Sequence, residues 1–233
     1  MTRVSVLRFS SLDSTNAEAR RRLAGGRRPG FAVVAGEQTA GRGRQGRSWL
    51  SPQGGGIYLT LTMPTIPEAE TQGFVAIVAG VAVGEWLERY GVLVGLKWPN
   101  DLRVNQRKLG GILCERHGHN LIVGVGVNWS VAHEGLDQPT TCVLAEVGEP
   151  CGREQAEAEL LTSLQALTAR WHAEGACDFA QRWWRLAEKQ RSYVYEGVRV
   201  QPQGLNDRGE LLVRDLDGHV SSISCGELED AAG

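Results

Sequence analysis

Lysine is nearly missing from this 233-residue chain: 25 residues are basic, and only Lys97, Lys108 and Lys189 are lysines. Where arginine is used almost everywhere else, a lysine marks a place for a compact ammonium rather than a planar fork. Long apolar runs are missing as well. The longest, Phe74 to Val83, is interrupted by Gly80 and stops at Gly84 and Glu85, well short of the roughly 20 residues that cross a bilayer, so no membrane partner is expected. The N-terminus carries Arg3 and Arg8 without a following apolar segment or cleavage site, which argues against a secretory signal and for a cytoplasmic protein. An excess of one charge is also absent: 25 basic against 27 acidic residues leave a net charge of −2, too little positive charge for a general nucleic-acid coat. Cys114, Cys142, Cys151, Cys177 and Cys225 form an odd, scattered set with no CxxC pair and are expected as reduced thiols. Cys114, His117 and His119 lack a fourth partner, so no metal site is expected there.

Glycine, by contrast, makes up 30 residues and is spread through strand-like segments, a sign of backbone brought close to something. Arg3 to Phe9, Phe31 to Glu37 and Ile57 to Met63 read as strands. A helix is expected to open at Asp13-Ser14-Thr15-Asn16 and run to about Ala24, with Thr15 and Glu18 at capping-box spacing. Thr71 to Tyr90 has the apolar spacing of a long buried helix. Leu93 to Trp98, Leu102 to Val104, Lys108 to Glu115 and Leu121 to Asn128 then read as successive strands, the last three an antiparallel meander. Two helices, Gly152 to Ala173 and Cys177 to Gln190, are expected on one side of it. Beyond Arg191 the texture changes to Gly197–Gln201, Glu210–Arg214 and His219–Ser224, short strands with tight turns that form a small barrel. Strands and helices do not alternate regularly, which favours an α+β mixed sheet over a doubly wound one. The expected division is residues 1–190 and 191–233.

Four segments carry candidate chemistry. Gly41-Arg42-Gly43-Arg44-Gln45-Gly46-Arg47-Ser48-Trp49 holds three arginines and three glycines, and no Asp or Glu occurs from Gln38 to Pro67. Uncompensated guanidinium forks beside bare backbone amides suit carboxylate or phosphate oxygens, and Trp49 can stack on a base. Neither a GxxxxGK[ST] loop nor a GxGxxG turn between strand and helix is present, so the cradle is of another kind. Lys97-Trp98-Pro99-Asn100-Asp101 sets an ammonium, an amide and a carboxylate at a strand-to-turn junction. Lys108-Leu109-Gly110-Gly111-Ile112-Leu113 is a glycine-bearing apolar strand led by a cation. In Val123-Gly124-Val125-Gly126-Val127-Asn128, two glycines on one strand face clear room for a flat ligand. A non-catalytic RNA- or ligand-binding module built on the arginine loop is the alternative from another class.

Taken in this order, DSTN at 13–16, Gln38 with GRGRQGRSW, KWPND at 97–101, KLGGIL at 108–113 and GVGVN at 124–128 resemble biotin protein ligase, or biotin–[acetyl-CoA-carboxylase] ligase. The resemblance implies a catalytic domain like that of class II aminoacyl-tRNA synthetases, followed by an SH3-like domain. It also implies two half-reactions, from biotin and ATP with Mg2+ to biotinyl-5′-AMP and pyrophosphate, then to a lysine of a carboxylase carrier domain. By that likeness Ser14, Thr15, Asn16, Gln38, Gly41, Arg42, Gly43, Arg44, Lys108, Leu113, Gly124 and Gly126 would bind biotin. Arg44, Arg47, Trp49, Lys97, Asn100 and Asn128 would bind ATP, and Lys108, Arg44 and Asp101 would act in catalysis. No helix-turn-helix segment precedes DSTN, so no DNA partner is expected, while a homodimer stays open. Gly110 stands where many relatives have Ala, and Ser48 where Lys is common. Lipoate protein ligase is the nearest alternative; GRGRQGRSW and KWPND weigh against it.

Overall fold

The computed structural model describes residues 4–65, 72–136, 138–189 and 191–231, without the side chains of 72, 168 and 171–177. Strand β1 (Ser5–Phe9) leads through helix α1 (Thr15–Ala24) to β2 (Phe31–Ala35), and β3 (Gly56–Pro64) follows the arginine loop. Helix α2 (Gln72–Glu88) precedes β4 (Gly95–Lys97), β5 (Asp101–Val104), β6 (Arg107–His117) and β7 (Asn120–Asn128). These seven strands form one sheet in the order β1-β2-β3-β7-β6-β5-β4, with β1 and β2 parallel and every other pair antiparallel. The expected mixed sheet and meander are both present. The β5–β6 hairpin turns on Asn105 and Gln106, both at positive φ (48° and 69°), as a two-residue turn matching the strand twist requires.

Helix α2 is apolar on every side, and its side chains from Phe74 to Val83 are buried, because it lies between the sheet and two further helices. After the short α3 (Val143–Val147) these are α4 (Arg153–Gln165) and α5 (Leu167–Leu186). The boundary between these two helices falls at Ala166, which keeps near-helical dihedrals (φ −72°, ψ −14°) as the cap of both, and α5 runs on through Gly175 rather than starting at Cys177. Burying Leu164, Leu167, Phe179 and Trp183 in the main core outweighs the cost of about 1 kcal/mol for a glycine within a helix.

Helix α1 packs on the opposite face through Ala19 and Leu23, against Phe31, Val33 and Ile122. Its N-cap is Ser14, whose Oγ accepts from the N–H of Ala17; Thr15 is the first helical residue rather than the cap. Glu18 spends its carboxylate on Arg21 and Arg22, so the capping box does not form. Arg21 also clamps Asp13 with two hydrogen bonds of 2.7 Å, which hold the Asp13 carboxyl down at about 2.

A second antiparallel sheet comprises β8 (Tyr193–Tyr195), β9 (Val198–Leu205), β10 (Leu211–Asp215), β11 (Val220–Ile223) and β12 (Glu229–Asp230), in the order β11-β10-β9-β8-β12. Arg103 of β5, only 2% exposed, ties the sheets together: its guanidinium meets Asp230 at 2.9 and 2.7 Å and Glu188 at 3.4 Å. Arg103→Met removes the guanidinium from both carboxylates, but Asp230 is 39% exposed and keeps Lys97, and Glu188 keeps the Tyr193 hydroxyl. The cost is that of lost charge-assisted hydrogen bonds, about 2 kcal/mol. The urea midpoint should fall accordingly; an unchanged midpoint would show that the clamp contributes nothing. The hydrogen bond from Arg103 holds the Asp230 carboxyl below its ordinary 3.8, against the opposing effect of burial, with help from Lys97 and Arg191. The clamp's contribution is therefore complete above about pH 4 and fades as pH falls through the depressed value.

Candidate active site

On β7 the side chains alternate: Leu121, Val123, Val125 and Val127 enter the main core, leaving Ile122, Gly124, Gly126 and Asn128 on the α1 face. A cavity of about 200 Å3 lies over that face. The two glycines do clear room, but this chain's own side chains fill it. A Cβ on Gly124 would stand 2.2 Å from Oδ1 of Asn16, and one on Gly126 would stand 2.6 Å from Nε1 of Trp49.

One side of the cavity is a hydrogen-bonded polar cluster. Gln38 accepts at Oε1 from the Thr15 N–H (2.8 Å) and hydroxyl (3.1 Å), and donates from Nε2 to Ser51 Oγ (2.8 Å). Asn16 donates to Leu113 O (3.1 Å) and Glu115 Oε2 (2.8 Å), while its Oδ1 takes the Thr60 hydroxyl (2.6 Å). The amides of Gln38 and Asn16 are thus fixed in orientation, which a site selecting a polar ring needs. Thr60 and Glu115 were missing from the sequence reading. A threonine inside the buried apolar strand Ile57-Tyr58-Leu59-Thr60-Leu61 was a visible signal; nothing local marked Glu115.

The arginine loop is a tight hairpin. Gly43 N bonds Arg47 O (2.7 Å), a single 3-10 turn spans Arg44–Gly46, and Gln45 adopts φ 53°. Gly41 does not line the cavity. It lets the hairpin close, since a Cβ there would lie 2.4 Å from Trp49 O. The loop's charge, uncompensated in sequence, is largely met in space. Arg42 pairs with Glu115 (3.2 Å), and Arg47 with Glu227 in the loop between β11 and β12. Among the described residues Arg44 hydrogen-bonds to neutral acceptors, Asn100 Oδ1 (3.4 Å) and Gly226 O (3.2 Å), and makes a long ion pair with Glu227 at 4.0 Å. Burial, and then the Arg47 charge, push the Arg44 pKa below its ordinary value. It is a partly desolvated cation whose one ion pair among the described residues is long, so an anion entering the cavity would be well received.

Ser14, Thr15, Asn16, Gln38, Arg42, Gly43, Arg44, Arg47, Trp49, Asn100, Lys108, Leu113, Gly124, Gly126 and Asn128 all line this one cavity. Asp101 stands just outside it, 2.8 Å from Lys108 Nζ, and that ammonium lies 5.6 Å from the centre of the Trp49 ring. Lys97 does not reach the cavity. Its ammonium lies over Tyr193 (5.4 Å) and 3.7 Å from Asp230, and burial followed by repulsion from Arg103 lowers its pKa. Asn128 donates to Thr141 O (3.0 Å) and Lys108 O (3.4 Å), while among the described residues neither its buried Oδ1 nor Trp49 Nε1 has a partner. The segment from Val131 to Thr140 adds His133, Leu136 and Gln138 to the wall. It is stitched to Lys108 through Lys108 N to Pro139 O (2.8 Å) and Thr141 N to Lys108 O (2.9 Å). Polar selectors, fixed cations and an amide acceptor in one cavity can hold two acids in contact and a heteroaromatic ring beside them.

Comparison with known proteins points the same way. The family described as "Biotin/lipoate A/B protein ligase family" matches residues 8–131. The "Bifunctional ligase/repressor BirA" of Escherichia coli (strain K12) is 30% identical over 241 residues, covering 96% of this chain and 73% of that protein. The "Biotin--[acetyl-CoA-carboxylase] ligase" of Mycobacterium tuberculosis is 30% identical, covering 92% of this chain and 85% of its own. Among solved structures, the biotin protein ligase from Aquifex aeolicus in complex with biotin and ATP superimposes with a TM-score of 0.83 at 26% identity, covering 97% of both chains. The ligase from Leishmania major in complex with biotinyl-5-AMP gives 0.68 at 27% identity, covering 97% of this chain and all of that one.

Proposed function

The chain belongs to the biotin/lipoate A/B protein ligase family, and on that premise we propose that it activates biotin with ATP and passes the biotinyl group to a lysine of a biotin carboxyl carrier domain. The observation that carries this reading is the layout along β7. Gly124, Gly126 and Asn128 succeed one another on one face over roughly 14 Å, beneath the polar cluster, the Trp49 indole and the unpartnered Asn128 Oδ1. Biotin occupies the Asn16 and Gln38 end with its chain along Leu113, and adenine lies toward Trp49 and Asn128, whose free acceptor suits an exocyclic amine.

Activation is slow without help because a carboxylate must approach a triphosphate of the same sign. Lys108 and Arg44 line the same cavity and neutralise both partners in this reading, with Arg42 and Arg47 on the hairpin beside them. Mg2+ bound with the nucleotide would supply further charge neutralisation. Asp101 is the carboxylate beside Lys108 that could reach it, although it already spends one oxygen on that ammonium. In the second half-reaction Asp101 faces the incoming acceptor amine. Residues 1–190 form the catalytic unit in this scheme and 191–233 the appended one, which supplies Glu227 to the loop. None of the described helices is long and apolar enough to cross a membrane.

The test is incubation of the protein with Mg-ATP, a carrier domain and either biotin or lipoate. Mass spectrometry is expected to find the biotinyl adduct on one carrier lysine; a lipoyl adduct alone, or no adduct with ATP unconsumed, would refute the assignment.

A further inference from the structure

Asn16 is only 3% exposed, and its neighbours decide which way its amide faces. Its Nδ2 lies 3.1 Å from Leu113 O and 2.8 Å from Glu115 Oε2. A carbonyl and a carboxylate only accept, so the NH2 must turn to them and Oδ1 away. That oxygen stands over Gly124, where a Cβ would come within 2.2 Å of it, and both residues line the cavity. The Thr60 hydroxyl is the one donor it receives among the described residues, which leaves a lone pair for a ligand. Glu115 itself does not line the cavity. It stands behind Asn16 on β6, opposite Ile122 of β7. Two guanidiniums grip the same carboxylate, Arg20 of α1 at 3.0 Å and Arg42 of the hairpin at 3.2 Å.

We propose that Glu115 is a positioning residue for biotin binding, acting through Asn16 by holding that amide with its oxygen toward the cavity. The inference rests on the biotin reading above. An acceptor turned inward calls for an N–H on the bound ring, which the ureido ring of biotin carries and the dithiolane ring of lipoate lacks. Without Glu115, Leu113 O alone would hold the Asn16 NH2, and the amide could swing or flip to present a donor against the ring N–H. A hydrogen bond to a carboxylate is roughly twice as strong as a neutral one. Arg20 and Arg42 fix that carboxylate from two elements, so the constraint on Asn16 is stiff. Arg42 takes its own anchor from the same group, which sets the hairpin and the ring-selecting amide in one register. The Asn16 contact is the shortest of the three, which argues against a carboxylate that merely neutralises Arg42.

The KM for biotin in ATP–pyrophosphate exchange tests this through double-mutant cycles of Glu115→Ala with Asn16→Ala and with Arg42→Ala. Glu115→Ala alone should raise that KM about tenfold and leave the KM for ATP nearly unchanged. Glu115→Gln, which can still turn its one carbonyl oxygen to Asn16, should fall between Glu115→Ala and wild type. In the Asn16→Ala background a further Glu115→Ala should cost less than about twofold, because no amide is left to position. In the Arg42→Ala background it should keep nearly its full factor. A merely structural role would add in both backgrounds. An unchanged KM for biotin in Glu115→Ala, or a full penalty on top of Asn16→Ala, overturns the proposal. So does a penalty that vanishes only with Arg42→Ala, which would make Glu115 a counterion of the hairpin. Absence of biotin-dependent exchange in the wild-type protein would instead refute the adenylation reading itself.

Discussion

Lys108→Ala is expected to lower biotin-dependent pyrophosphate exchange by two to three orders of magnitude, and Arg44→Ala by a similar factor. Preorganised charges aimed at a charge-developing centre are worth about 3 kcal/mol each, and both side chains hold fixed positions. Lys108 Nζ is set by Asp101 at 2.8 Å, and Arg44 by Asn100 and Gly226 O. Neither belongs to the apolar core, so thermal unfolding should shift little while activity collapses. Lys108→Arg should not restore exchange, because a planar fork cannot stand where a compact ammonium fits between Asp101 and the Trp49 ring. Near-wild-type exchange in both alanine variants would show that the cations of this cavity do not touch the reacting groups.

Gly126→Ala and Gly124→Ala, two residues apart on one strand face, should damage different substrates. A methyl at 126 meets Nε1 and Cε2 of Trp49 at 2.6 and 2.8 Å, too close for the indole to remain, and stacking of a base on an aromatic ring is worth about 1–3 kcal/mol. The KM for ATP should rise about tenfold or more, with biotin affinity nearly unchanged. A methyl at 124 meets Asn16 Oδ1 at 2.2 Å and pulls its amide from Thr60 and Leu113 O, so biotin affinity should fall instead. Calorimetry with biotin and exchange kinetics with ATP separate the two effects. If both variants weaken the same substrate, the assigned direction of the cavity is wrong.

Much of this arrangement was legible in the amino-acid order because its signals are local. Strands β5 to β7 followed from alternation and from turn residues at 105–106 and 117–120, and the polar and basic motifs lie at strand ends, where a cavity gathers them. Pairings across the whole chain were not legible. Glu115 and Glu227 reach the arginine loop from 73 and 180 residues away, and only the finished fold brings them there. Lys97 shows the same limit in reverse. Its motif is local, but its ammonium goes to Asp230 in the last strand rather than to the cavity. The break between α4 and α5 was misplaced because Gly175 is a strong local signal, whereas the apolar contacts that carry α5 through it are tertiary.

The three ammonium groups share a setting: Lys97 lies over Tyr193, Lys108 over Trp49 and Lys189 over Trp184, at 5.4 to 5.6 Å. An acyl-adenylate is an indiscriminate reagent toward free primary amines, whereas a guanidinium stays protonated and inert to it. A surface written in arginine therefore gives an escaping anhydride few targets on the protein that made it. The intended recipient is left as the readiest nucleophile within reach.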